Sequence, residues 1–154
     1  MESVVILSKS IQHYPFIDRL AVGIALFHDT GKYPDFLGHF GRFENNQQAI
    51  ESQLNKIHIA LYRNDWNLKT WRNRNGYNRT SDNFIIYARH FFHDNYYLIL
   101  DIVTPNAHRR INALLPELIR NAENFHRQRL TELNQSTHYT AKNVEIVESI
   151  TLTP

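Results

Sequence analysis

Cysteine is absent from the 154 residues, which excludes disulfides and thiolate-ligated metals as sources of stability. That absence is compatible with a reducing compartment, and a cytoplasmic location is expected. Long apolar runs are also missing. The longest, Leu20 to Phe27, is far too short to span a bilayer, so no membrane partner is expected. The opening MESVVILSKS carries an early acid and no extended apolar stretch, and does not read as a secretory signal. A strong charge of either sign is lacking too: 17 Lys and Arg against 15 Asp and Glu leave a formal charge of +2. A net excess of that size does not by itself imply nucleic acid.

What is present bounds the rest. Hydrophobic residues make up 42% of the chain, enough for one core in one compact domain. Ser3–Leu7 reads as a strand. Pro15–Asp29 reads as a helix, with Phe16, Ile17, Leu20, Ile24 and Phe27 on one face and Gly31 then Pro34 ending it. Residues 35–53 read as loop with a short helix. Leu54–Tyr62 alternates as a strand, with Ile57, Ile59 and Leu61 on one side and His58 and Ala60 on the other. A long polar connection, Arg63–Asn83, precedes strands at Phe84–Arg89 and Tyr96–Val103. Thr104-Pro105 looks like a cap and first turn of a final helix, which Pro116 is expected to kink or split. Helices interrupted by a strand meander predict an α+β domain: a small antiparallel sheet flanked by helices. The working division is 1–133 as the functional domain and 134–154 as an extension, either a strand or a flexible tail.

Charge distribution says more than net charge. Arg63, Lys69, Arg72, Arg74 and Arg79 crowd one segment with Trp66, Trp71 and Tyr77 among them, against the single acid Asp65. Guanidinium groups neutralise phosphates and aromatic faces stack on unpaired bases. A solvated loop with its aromatics tucked onto the core explains the same letters.

Nine histidines suggest metal binding or acid–base catalysis. His28-Asp29 resembles the signature of HD-type metal-dependent phosphohydrolases, with His13 and Asp101 as further nominees. That family is all-helical, whereas the centre of this chain reads as β, and a polar helix end accounts for the pair. His90 and His93 read as surface histidines at a turn. The remaining groups suit RNA cleavage without metal or other cofactor, in which a ribose 2′-hydroxyl attacks the adjacent phosphorus. The reaction needs a base for that hydroxyl, an acid for the departing 5′-oxygen and a cation for the phosphoryl charge. His58 and His108 are the acid–base candidates, Arg79 the phosphate binder, and Asp82 the residue that orients one histidine or holds Arg79. Each also has a plain structural explanation: a bonded half-buried histidine, a turn-stabilising ion pair, packing at a helix start.

The ordered set Gly31-x-x-Pro34-Asp35-Phe36-x-Gly38, Ile57-His58-Ile59-Ala60, Arg79-Thr80-Ser81-Asp82, Ile85-Ile86-Tyr87, Pro105-x-Ala107-His108 and Ala122-Glu123-x-Phe125 is similar to the YafO toxins, over roughly Tyr14 to Arg127. The resemblance implies a RelE-like fold and a toxin of a type II toxin–antitoxin system. Such a toxin acts as a translation-dependent endoribonuclease (an mRNA interferase) that arrests growth, with the ribosome, mRNA and a cognate antitoxin as partners. Where that family often carries Gly-Arg-Asp, this chain has Gly38-His39-Phe40 with Arg42 just after, so Arg42 or His39 stands in for the family arginine. Lys56 replaces a frequent family histidine, and His126 precedes Arg127. Arg42 or Arg127 is expected to assist Arg79, with Lys56, Arg72 and Arg74 gripping RNA, Trp71 or Tyr77 stacking on a base, and Tyr87 on the RNA-binding surface. The rival readings are the HD-type phosphohydrolase and a RelE/ParE-like toxin that inhibits another target without cutting RNA.

Overall fold

In the computed structural model, which describes residues 1–146 and 150–153, the chain forms an α+β fold with helices on both faces of a sheet. The strands are β1 (Val4–Leu7), β2 (Tyr33–Pro34), β3 (Leu37–Arg42), β4 (Leu54–Ile59), β5 (Phe84–Arg89), β6 (Tyr96–Val103), β7 (His138–Tyr139) and β8 (Leu152–Thr153). The helices are α1 (Ile17–Thr30), α2 (Gln47–Glu51), α3 (Arg63–Trp66), α4 (Ala107–His126) and α5 (Leu130–Gln135). The main sheet runs β3-β4-β5-β6-β1-β7, and β2 pairs with β8 apart from it. Pairing is antiparallel except between β1 and β6, which are parallel. This is the antiparallel-sheet architecture expected from the sequence, with one parallel exception.

Alternation along the strands builds two cores. Val5, Leu7, Ile57, Ile59, Ile85 and Tyr87 face α1, where Leu20, Ala21 and Ile24 meet them. Ile6, Leu54, Phe84, Ile86 and Ala88 face the opposite way, onto Ile111, Leu115, Leu118, Ala122 and Phe125 of α4. A period of two in the strands and 3.6 in the helices gives each element one buried side. β6 carries an irregularity between its pairings with Ile86 and Tyr87. Across it Tyr97 and Ile99 serve the α1 core, and Ile102 serves it too after the break. The inserted residue restores facing that strict alternation would have reversed.

α1 ends at Gly31, whose φ of 71° and N–H to the Phe27 carbonyl make a left-handed cap. Three expectations need correction. Residues 35–53 hold the edge strand β3 as well as the short helix. Its Gly-rich sequence, LGHFGR, lacks the branched residues that mark strands. Thr104 does not cap α4: Asn106 stands before the first turn, and Thr104 Oγ1 donates to Asn83 Oδ1 at 2.5 Å. Pro116 leaves α4 as one helix. It sits on the exposed side, so the carbonyl it strands one turn earlier opens to water rather than to the core. The region from Val144 to Leu152, expected as strand or tail, lies partly outside the described residues. Within them, β7 extends the sheet beyond β1 and β8 covers β2.

Candidate active site

Three imidazoles stand in a row where β3, β4 and the start of α4 meet. His39 and His58 have ring centroids 5.8 Å apart, and His58 and His108 5.5 Å apart. Phe84 of β5, fully buried, stands edge-on 4.7 Å from both His58 and His108. Lys56 Nζ lies 5.3 Å from the centre of the same ring and 5.3 Å from that of Phe43. His58 and Lys56 share this side of the sheet because they are two apart on β4.

Each imidazole is tethered through Nδ1. In His39 it meets the Tyr77 carbonyl at 2.9 Å, with the Tyr77 ring packed at 4.4 Å. In His58 it lies 2.8 Å from both the N–H and the carbonyl of Ser81, and so accepts from one or donates to the other according to tautomer. In His108 it lies 2.8 Å from Asp82 Oδ1, which also accepts the His108 backbone N–H at 2.9 Å. One carboxylate thus caps the first turn of α4 and orients its imidazole. Among the described residues none of the three Nε2 atoms has a hydrogen-bond partner.

The segment Arg79-Thr80-Ser81-Asp82 organises this row, but not as the sequence suggested. Arg79 was expected to bind phosphate; its side chain is instead buried, with 4% of the residue exposed. Nε donates to the Asn73 carbonyl at 3.0 Å, Nη1 to those of Leu37 and Pro34 at 3.1 and 3.4 Å, and Nη2 to Thr153 Oγ1 and the Arg74 carbonyl at 2.7 and 3.4 Å. A guanidinium has five N–H donors, and all are engaged, so none remains for a phosphate. Its backbone carbonyl accepts from His39 N–H at 2.7 Å. A Cβ on Gly38 would fall 2.6 Å from that oxygen, so glycine is needed for β3 to approach. Arg79 is a positioning residue that anchors the segment from which Ser81 and Asp82 hold two imidazoles.

The other candidates divide by location. Arg42, Lys56 and Tyr77 line one groove of about 600 Å³ with His39 and His58. His108 and Asp82 open onto an adjoining cleft beside Lys69, Thr70 and Thr80. Arg72 and Arg74 are exposed on the neighbouring loop. Trp71, expected to stack on a base, is 6% exposed and donates Nε1–H to the Asp35 carbonyl; its ring fills the space beneath Gly38. Tyr87 is fully buried in the α1 core, so it does not belong to an RNA-binding surface. Arg127 follows the far end of α4, about 28 Å from His108 at 1.5 Å per residue, where it lines a separate pocket with Phe91 and Phe92. His39 was named in the sequence only as a substitute for a family arginine, and its place in the row comes from the β3–β4 pairing.

His28 and His90 have structural partners. His28 Nε2 meets Tyr87 OH at 2.8 Å and its ring stacks on Tyr97, while Asp29 accepts the Ser3 N–H. Among the described residues no group of three or more His, Asp or Glu converges as metal ligands, so the HD-type reading has no ligand set here. His90, expected at the surface, is 1% exposed, and its Nδ1 accepts the N–H groups of Phe92 and His93.

Burial pushes the His58 pKa down to about 4, partly opposed by the Ser81 hydrogen bond and reinforced by His108, His39 and Lys56. Burial, aided by Arg89, lowers His28 to about 4 as well. Lys56 is lowered by burial, with Glu44 opposing. Burial acts to raise Asp82, but hydrogen bonds from the His108 backbone and ring outweigh it and leave it lowered. Both depressed imidazoles bear on stability. The unfolded chain takes up protons as pH falls below 6.5, whereas the folded rings resist until about 4. Stability is therefore fully present above 6.5 and is lost as pH falls through that window. Near pH 5 each ring should have given up about 2 kcal/mol, lowering Tm by on the order of 10 °C relative to neutrality. A thermal melt series checks this, and a flat Tm would mean that both rings protonate freely in the fold.

A family model described as toxin YafO of type II toxin–antitoxin systems matches residues 25–127. No curated protein and no solved structure matches the chain. No helix among the described residues is long and apolar enough to cross a membrane. The matched span contains all three imidazoles of the row, Asp82, Lys56 and the Arg79 anchor, and covers most of the chain: it belongs to the YafO family of type II toxins, whose systems pair a toxin with an antitoxin.

Proposed function

We propose that this toxin is an endoribonuclease that cuts mRNA during translation by acid–base chemistry. The observation that carries the reading is the row of Nδ1-tethered imidazoles beside Lys56 and Arg42. RNA transphosphorylation asks for such an arrangement: two proton-transfer groups on either side of a phosphorus, and cations for the charge that grows on its oxygens.

In the proposed step His58 is the base. At neutral pH its ring is uncharged, and in the tautomer that donates Nδ1–H to the Ser81 carbonyl its Nε2 lone pair faces the groove. It removes the 2′-hydroxyl proton as O2′ bonds to phosphorus. A bound phosphodiester anion raises the pKa of an adjacent imidazole, moving His58 from its low resting value towards the range where a base works well. His108, fixed by Asp82, gives the Nε2 proton of its imidazolium to O5′ as the P–O5′ bond breaks. The products are a 2′,3′-cyclic phosphate and a 5′-hydroxyl. Lys56 takes the phosphate-binding role that Arg79 cannot fill, with Arg42 beside it and His39 as a further donor. Tyr77 offers an exposed face to a base, and Arg72 and Arg74 hold the strand. The antitoxin partner follows from the family; the ribosome and mRNA belong to this proposal.

The test is to supply the protein to a translating extract and map RNA ends. New 5′-hydroxyl ends paired with cyclic phosphates are expected within translated mRNA. Growth arrest with unaltered RNA ends would overturn the reading and favour a toxin aimed at another target.

A further inference from the structure

A second basic cavity lies around the sheet edge from the imidazole row. Arg42, Asn55 and Tyr87 are directly opposite one another across β3, β4 and β5, so their side chains share the face that carries α1. Arg89 comes two residues from Tyr87 on the same face, and Gln53, just before β4, is brought there by its bond to Arg42. Beyond the end of α1, Arg42, Arg89, His28, Gln53, Asn55 and Phe40 enclose about 240 Å³. At roughly 30 Å³ per water that is room for about eight, ample for a phosphodiester group.

The lining holds two permanent cations, two amides and no carboxylate. Arg42 is braced by Nη2–H to Gln53 Oε1 at 3.0 Å. Arg89 is braced by Nε–H to the Asp94 carbonyl at 2.6 Å and lies 5.8 Å from the Tyr97 ring centre. The Asp94 carboxylate is 4.0 Å from Arg89 Nη2 and does not line the cavity. His28 is committed to Tyr87 OH, so the charge of the site comes from the arginines. Arg42 lines this cavity and also the groove of His39, Lys56 and His58. Phe40 lines both as well, so the two cavities meet at one guanidinium and one aromatic ring.

From the shared Arg42 we infer that the Arg42–Arg89 cavity binds a phosphate of the RNA backbone next to the one that is cut, so that the strand leaves the imidazole groove by turning round the β3 edge. This rests on the ribonuclease reading. It assigns Arg89, a residue outside the chemistry, to strand binding, and it predicts that short substrates which end within the imidazole groove ignore Arg89.

The test uses the whole protein and a 2′-O-methyl RNA oligomer, which cannot be cut. Its binding is followed by fluorescence anisotropy from about 50 to about 200 mM salt. Arg89→Ala should weaken binding about tenfold at low salt, as expected for one lost charge-assisted phosphate contact. It should also lower the log–log salt slope by about 0.7. A 2′-O-methyl dinucleotide should bind wild type and variant alike. Arg89→Lys keeps the charge but lacks the Nε–H bond to Asp94, and should retain the wild-type slope. An unchanged slope in Arg89→Ala, or Arg89→Lys as weak as alanine, overturns the subsite while oligomer binding by the wild type leaves the ribonuclease reading standing. No oligomer binding by the wild type overturns the subsite, while the ribonuclease reading stands or falls on the RNA ends mapped in the translating extract.

Discussion

Replacing His108 with alanine should lower the rate of RNA cleavage by about 10²–10⁴-fold, the range that one general acid or base supplies, with little change in Tm. The ring is largely exposed and bonded only through Asp82, so its loss removes chemistry and not core. His58→Ala should cost a similar factor in rate, but it also removes a buried ring between Phe84 and Ser81. For that variant the comparison is made per folded molecule, with His58→Gln as the milder change. The double variant should be scarcely slower than either single one, because acid and base serve one step. Asp82→Asn should fall between, since its amide can still accept the α4 backbone N–H while losing the charge that faces the imidazolium. Single-turnover cleavage of translated mRNA measures all five. Full activity in both single histidine variants would remove the imidazole row from the mechanism, whatever its geometry.

Arg79 gives the second large effect, of a different kind. Arg79→Ala should lower folding stability by about 3–5 kcal/mol, because several buried carbonyls lose their donors at once. Arg79→Lys should rescue little: an ammonium on a flexible stem cannot reach the Asn73, Leu37 and Thr153 oxygens together. Both variants should lose toxicity in cells, which an assay of growth alone would misread as loss of a catalytic arginine. Chemical denaturation separates the cases. A variant of unaltered stability that binds RNA poorly would return Arg79 to the phosphate.

The contrast shows where the sequence was legible. Strands β4, β5 and β6 and the apolar stripes of α1 and α4 follow from periodicity, and the structure agrees within a few residues. His58 was readable as a groove residue because alternation alone sets it opposite Ile57 and Ile59. The partnership of Asp82 with His108 was readable only as one of two options, since a carboxylate three residues after an arginine suits either partner. What decides between them is 26 residues away in sequence, at the start of α4, and local pattern carries no such information. Arg79 misled for a physical reason. A buried arginine among carbonyls and an exposed arginine awaiting phosphate satisfy the same donors, and the letters do not say which oxygens will be there. Trp71 and Tyr87 misled similarly, since aromatic residues fill cores and stack on bases through the same faces. β3 was missed because its glycines, one demanded by the backbone of Arg79, hide a strand within what reads as loop.

Thr153 Oγ1 accepts from Arg79 Nη2 and donates to the Tyr33 carbonyl, joining three points of the chain that leave the ribosome at widely separated times. Synthesis runs from the N-terminus, so the segment that steadies Ser81 and Asp82 waits with one guanidinium donor unmet until Thr153 has emerged. The brace behind the Asp82–His108 pair is thus closed by one of the last residues described, and the imidazole row gains its full support only after all of the matched family span has been made.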